Sequence, residues 1–247
     1  MEPELKPVRT GEQPFGRGTT HEADYEAGAS ELTRQSAQRV LRNTYLLLAA
    51  TMVPTVIGAF IGMASSGIIM ANPIISTVVM LAAVIGLQIG IAANRNRGAG
   101  IALLLLMTGL LGWWLGPILN FALALKNGMQ LVGYAAVGTG VIFFAMGAIA
   151  ATTKRDFGFM GKFLFVGMIA LLIAMLANMF LQIPALALTI STLVIVVFSL
   201  FLLYDLNRIV RGGETNYLMA TTGVYLSLFN IFANLLQLLM VLTGQRD

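Results

Sequence analysis

The sequence predicts an all-α membrane protein, with seven transmembrane helices behind a polar N-terminal tail. Three observations predict it. Hydrophobic residues make up 57% of the 247 positions and charged residues only 11%, where a soluble domain carries about 25% charge. The apolar residues lie in long unbroken runs without the alternation of barrel strands. The basic residues sit between those runs, mostly on one side of alternate loops.

Taken in order, residues 1–43 come first, with six Lys/Arg and seven Asp/Glu among Gly, Pro, Thr and Gln. That mixture buries no core and predicts a disordered cytoplasmic tail, although "ASELTRQSAQRVLRN" can begin helix ahead of the membrane. The tail has no apolar h-region, so no cleaved signal peptide is expected and the first span does the targeting. A bilayer core of ~30 Å takes about 20 apolar residues per helix. The runs place spans at about 44–65, 74–93, 99–121, 129–151, 162–182, 185–209 and 217–241, with 244–247 left as a short external C-terminus. Pro73 and Pro184 stand at helix starts, where a missing N–H is harmless. Pro54 predicts a kink inside span 1, and Pro117 an end or bend in span 3. Gly58 with Gly62, Gly86 with Gly90 and Gly112 with Gly116 are small-residue pairs four apart, each able to bring two helices close.

From Arg34 onward, ten Lys/Arg fall on one side of the spans, and two, Lys126 and Arg246, on the other. The positive-inside rule then puts the N-terminus in the cytoplasm and the C-terminus outside. An odd number of spans likewise puts the two termini on opposite sides. The net charge of +4 is therefore a topology signal and does not imply nucleic-acid binding. The chain has no Cys, and its one His, His21, lies in the tail. No disulfide framework, thiolate metal site or intramembrane histidine cluster is expected, and no cofactor. No "GxSxG" elbow marks a hydrolase, and no Lys inside a span could hold retinal. The chain is expected not to be an enzyme.

Two features in the last two spans carry chemistry. Gly223, Ser227, Asn230, Asn234 and Gln237 recur at steps of four and three, which places them on one helix face. Unsatisfied polar groups in lipid cost several kcal/mol, so this stripe predicts that span 7 lies inside the bundle. Its role is interhelical hydrogen bonding or the lining of a polar path. The second feature is Asp205, an acid just inside span 6. It can pair with Arg208 or Arg211, accept hydrogen bonds from span 7, or keep its proton away from water. If helix 6 continues to Arg211, Asp205 lies ~9 Å from its end, and Ser227 ~15 Å from the start of span 7. The two meet if the helices are staggered or tilted. Between them, Gly212, Gly213, Glu214, Thr215, Asn216 and Tyr217 form a turn. Its glycines give backbone freedom, its polar residues cap helix 7, and a cytoplasmic partner is its other possible use.

The stretch "LLYDLNRIVRGGETNYLMATTGVYLSLFNIFANLLQLL" resembles the Bax inhibitor-1 family of seven-span membrane proteins, closest to its bacterial YccA branch. "VLRNTYLLLA", "TGLLGWWLGPILN", "TTKRDFGFMG" and "LANMFLQIPAL" follow the same pattern, and the resemblance covers roughly residues 39–243. It implies six helices wrapped around a central seventh, in a bacterial inner membrane. It also implies a pH-regulated calcium leak sensed by two aspartates. Asp205 matches the first of these, whereas the second position falls on Ser227, with Asn230 in register. Two close carboxylates share a proton, and a carboxyl facing a hydroxyl does not. Calcium takes six to eight oxygens, carboxylates included, so one Asp with neutral partners is a poor resident site, and Ca2+ enters only as a permeant ion. Span 2 holds no Lys or Arg to latch Asp205. The YccA branch implies a partner instead, the membrane AAA protease FtsH, which such proteins modulate and which can degrade them.

Overall fold

The computed structural model describes residues 18–153, 155 and 157–244, with side chains described from residue 35. All regular structure among them is helical: α1 Gly18–Ala64, α2 Ser66–Ala71, α3 Pro73–Ala93, α4 Gly98–Trp114, α5 Gly116–Leu123, α6 Gly128–Thr152, α7 Met160–Leu181, α8 Pro184–Val210 and α9 Tyr217–Thr243. Among the described residues, seven segments are long and apolar enough to cross a bilayer, α4 and α5 together forming the third.

The spans fall within a few residues of the apolar runs, the first ending at Ala64. Helix α1 begins at Gly18, inside the stretch whose composition predicts a disordered tail. Residues 1–17 lie outside the described residues. From Ala29 on, this helix is the stretch "ASELTRQSAQRVLRN", whose Ala, Leu, Glu, Gln and Arg are strong helix formers. Pro54 lies within α1 without ending it. Pro117 sits in the first turn of α5, and the third span breaks at Leu115, where a proline ring and missing N–H interrupt the ladder.

Two of the three glycine pairs form a single contact. A side chain on Gly58 or Gly62 would strike the α4 backbone at Gly109 and Trp113, and one on Gly112 or Gly116 would strike α1 at Thr55 and Gly62. The backbones of α1 and α4 thus lie against each other. Beyond this contact the Trp113 indole N–H donates to Ser65 Oγ at 2.8 Å, and Asn120 Nδ2 donates to Met63 O at 2.8 Å. The third pair is different. Gly86 faces open space, and Gly90 would meet only the end of the Leu103 side chain, at 3.2 Å.

The main core joins α1, α3, α4, α6, α8 and α9 around Leu104, Met107, Leu202, Leu206, Val224 and Ile231. A smaller one at the other end joins α5, α6 and α9 around Ala122, Leu131 and Leu236. Helix α9 packs against α8, α6 and α1 and touches α3, α4 and α5, while α7 packs against α8. The seventh span therefore contacts five others, and the fifth packs against the sixth. Helix α7 is apolar from Phe163 to Ala177, so lipid contact there costs it little.

Candidate functional site

The site is built by the hairpin of α8 and α9. Helix α8 ends at Val210, and Gly212 follows with φ 73°, a left-handed conformation that glycine adopts without strain. The N–H groups of Gly212 and Gly213 donate to Ile209 O and Arg208 O at 3.0 and 2.8 Å, satisfying carbonyls at the helix end. Asn216 caps α9, its Oδ1 accepting from the N–H groups of Leu218 and Met219 at 3.0 and 3.1 Å. Its Nδ2 donates to Arg95 O and Asn96 Oδ1, both at 2.9 Å, which ties this turn to the α3–α4 loop. Glu214 accepts from the Asn216 N–H at 3.0 Å. The turn thus performs the capping read from its polar residues, with Asn216 as the cap. Thr215 is exposed, and Tyr217 half-buried begins the helix.

Residues equally far from a hairpin turn face each other. Asp205 lies five residues before Val210, ~7.5 Å along the axis, and Gly223 six residues after Tyr217, ~9 Å. A Cβ on Gly223 would stand 2.6 Å from Asp205 Oδ2. The acid therefore turns inward onto α9, but at Gly223 and not at Ser227. Ser227 is buried one turn deeper, ~6 Å further along α9.

Nor does Asp205 pair with the nearby arginines. Arg208 binds Glu214 at 3.3 Å and also donates from Nε to Gly213 O at 3.3 Å. Arg211 reaches Thr153 O at 3.5 Å. Both residues are held by the turn and its neighbours. Among the described residues, no hydrogen bond or ion pair reaches the Asp205 carboxylate. It lines a cleft of about 210 Å³ with Gln88 of α3, Arg208, Glu214, Thr222 and Gly223. At about 30 Å³ per molecule, the cleft has room for several waters.

The rest of the stripe behaves differently from its prediction. Asn230 Nδ2 donates to Leu226 O at 2.8 Å, and Asn234 Nδ2 to Asn230 O at 2.9 Å. These amides satisfy themselves on their own helix and do not bridge to neighbours. Asn230, Asn234 and Gln237 are half-buried, so of the five stripe residues only Ser227 is fully enclosed. The interhelical bonds come from residues the stripe does not contain. Tyr225, 2% exposed, shares a hydrogen bond with Thr55 of α1 at 2.7 Å and donates to Thr108 O of α4 at 3.3 Å. Asn207, 1% exposed, donates to Arg155 O and accepts from the Phe157 N–H, both at 3.4 Å, anchoring the α6–α7 loop. Asn207 stands two residues from Asp205 in "YDLNR", and Gln88 is an amide inside an apolar run. Both signals were present in the sequence, but Tyr225 looks there like any aromatic.

A polytopic all-α membrane protein with an unpaired acid folded between its last two spans is the class these features define. A family model described as "Inhibitor of apoptosis-promoting Bax1" matches residues 37–245, and the chain belongs to this Bax inhibitor-1 family. An uncharacterized membrane protein of Vibrio cholerae is 41% identical over 206 residues, covering 83% of this chain and 91% of the relative. Two proteins of Escherichia coli strains are each 40% identical over 204 residues, covering 83% of this chain and 90% of theirs. One is named "Modulator of FtsH protease YccA" and the other "Inner membrane protein YccA".

Proposed function

We propose that this protein is an inner-membrane modulator, and at times a substrate, of the membrane AAA protease FtsH, acting in membrane protein quality control without catalysis of its own. The observation that carries the reading is 40% identity, over 83% of the chain, to a relative named as a modulator of that protease. The physical features are compatible. The ten-to-two distribution of Lys/Arg directs the N-terminus to the cytoplasm and the C-terminus to the periplasm. Residues 18–43 then run as helix ahead of the apolar run that begins at about residue 44, ~39 Å at 1.5 Å per residue. The seventeen residues before them reach at most ~56 Å more. Such an arm can be drawn into an ATPase pore, while the close α1–α4 contact resists extraction and occupies the protease.

Deletion of residues 2–34 tests this. It should stop degradation by FtsH while the protein still inserts and co-purifies with the protease from native membranes. Degradation at the normal rate would refute the arm's role, and failure of the full-length protein to co-purify would refute the partner.

The unpaired carboxylate in its cleft favours a second reading, a cation leak gated by protonation of Asp205. Calcium-dye liposomes holding the purified protein distinguish the two. Flux that disappears in Asp205→Asn supports the leak, and no flux above empty vesicles removes it.

A further inference from the structure

Helices α1 and α6 are separated on the lipid-facing side by an apolar groove of about 490 Å³. Tyr45, Ala49 and Met52 form one wall, Phe144 and Ala148 the other, and Leu228 of α9 lies at its base. Tyr45 meets Phe143 edge-on at 5.9 Å across the gap. Phe144 is 74% exposed, so the groove opens outward from the bundle.

Its length limits what can fill it. Tyr45 to Met52 is seven residues, ~10 Å along the axis, whereas the bilayer core is ~30 Å thick. The groove therefore lies within one leaflet. A spanning helix of a partner would need a seat about three times as long, while a single acyl chain needs only its own leaflet. The groove's outer end also has a charge. Arg42, three residues before Tyr45, lies on the adjoining part of the same helix face, and Arg39 stands one turn above it. Both are exposed, and none of the groove's lining residues is acidic. Tyrosine is at home at the headgroup boundary, and arginine binds phosphate with two parallel hydrogen bonds.

We infer that this groove is a binding site for an anionic phospholipid, with one acyl chain between α1 and α6 and the headgroup phosphate on Arg42 and Arg39. The lipid covers Leu228 of α9, which lines the groove.

Native mass spectrometry of the full-length protein in detergent, titrated with phosphatidylglycerol or phosphatidylcholine, tests the site. Wild type should retain phosphatidylglycerol preferentially. Arg39→Gln and Arg42→Gln should each reduce that preference, by roughly fivefold if each contributes as a juxtamembrane basic residue does. Ala148→Trp fills the groove from α6 and should abolish retention of both lipids. Met52→Trp fills it from α1 and serves if the first variant does not fold. Equal retention of the two lipids by wild type, or retention unchanged in a folded tryptophan variant, overturns the proposal. A third measurement separates a lipid from a protein occupant. The chain has no Cys, so Ala148→Cys carries a single cross-linker in native membranes, and capture of another protein's membrane span there would overturn the assignment.

Discussion

At the residue scale the decisive contact is Asp205 over Gly223. No side chain fits between the carboxylate and the α9 backbone, so Gly223→Ala should displace the acid. Overpacking of this kind costs about 1–3 kcal/mol, measured by denaturant unfolding in detergent. Asp205→Ala should relieve most of that loss in the double variant, because groups in contact are not additive. Two losses that simply add would show that the residues do not touch. Tyr225→Phe should cost about 0.6 kcal/mol and at most ~1.7, the range of interhelical hydrogen bonds in membranes. Glu214→Gln should cost no more than about 1 kcal/mol, since its partner Arg208 is 47% exposed and water screens the pair. The sequence shows an acid near two arginines and a polar stripe. It does not show that Glu214 takes Arg208, because the αL turn at Gly212 folds the chain back to bring them together.

At the scale of elements, glycine spacing alone treats the three small-residue pairs alike, and the packing separates them. Gly58→Leu should disrupt the α1–α4 contact and lower stability by several kcal/mol or prevent folding, because the opposing atoms are backbone and cannot move aside. Gly86→Leu should leave stability within about 0.5 kcal/mol, as it projects into open space. Parallel thermal unfolding of the two variants checks both, and similar losses would contradict the helix arrangement. The same distinction applies to α9. Steps of four and three identify a polar face, but a face can satisfy its amides by bonding back to its own carbonyls, as Asn230 and Asn234 do. Periodicity therefore locates the stripe without saying what it bonds.

At the scale of the whole molecule, fusing a periplasm-dependent reporter after Thr243 should give an active enzyme, and the same reporter in the Asn96 loop an inactive one. The reverse pattern would invert the topology. The number of spans, the starts of six and the ends of all seven to within a few residues, and the basic-loop asymmetry were all decided by the sequence. They depend on hydrophobic length and on charges that must stay in water, both local properties. The helix running out from the first span was only hinted at in helix-forming residues whose composition argued for disorder. Tertiary structure alone decided which glycines touch, that α7 packs on α8, and that Asp205 faces Gly223 while Arg208 pairs with Glu214. Those outcomes depend on how helices are rotated and staggered against one another, and in lipid that is set by the fit of surfaces across elements far apart in the chain.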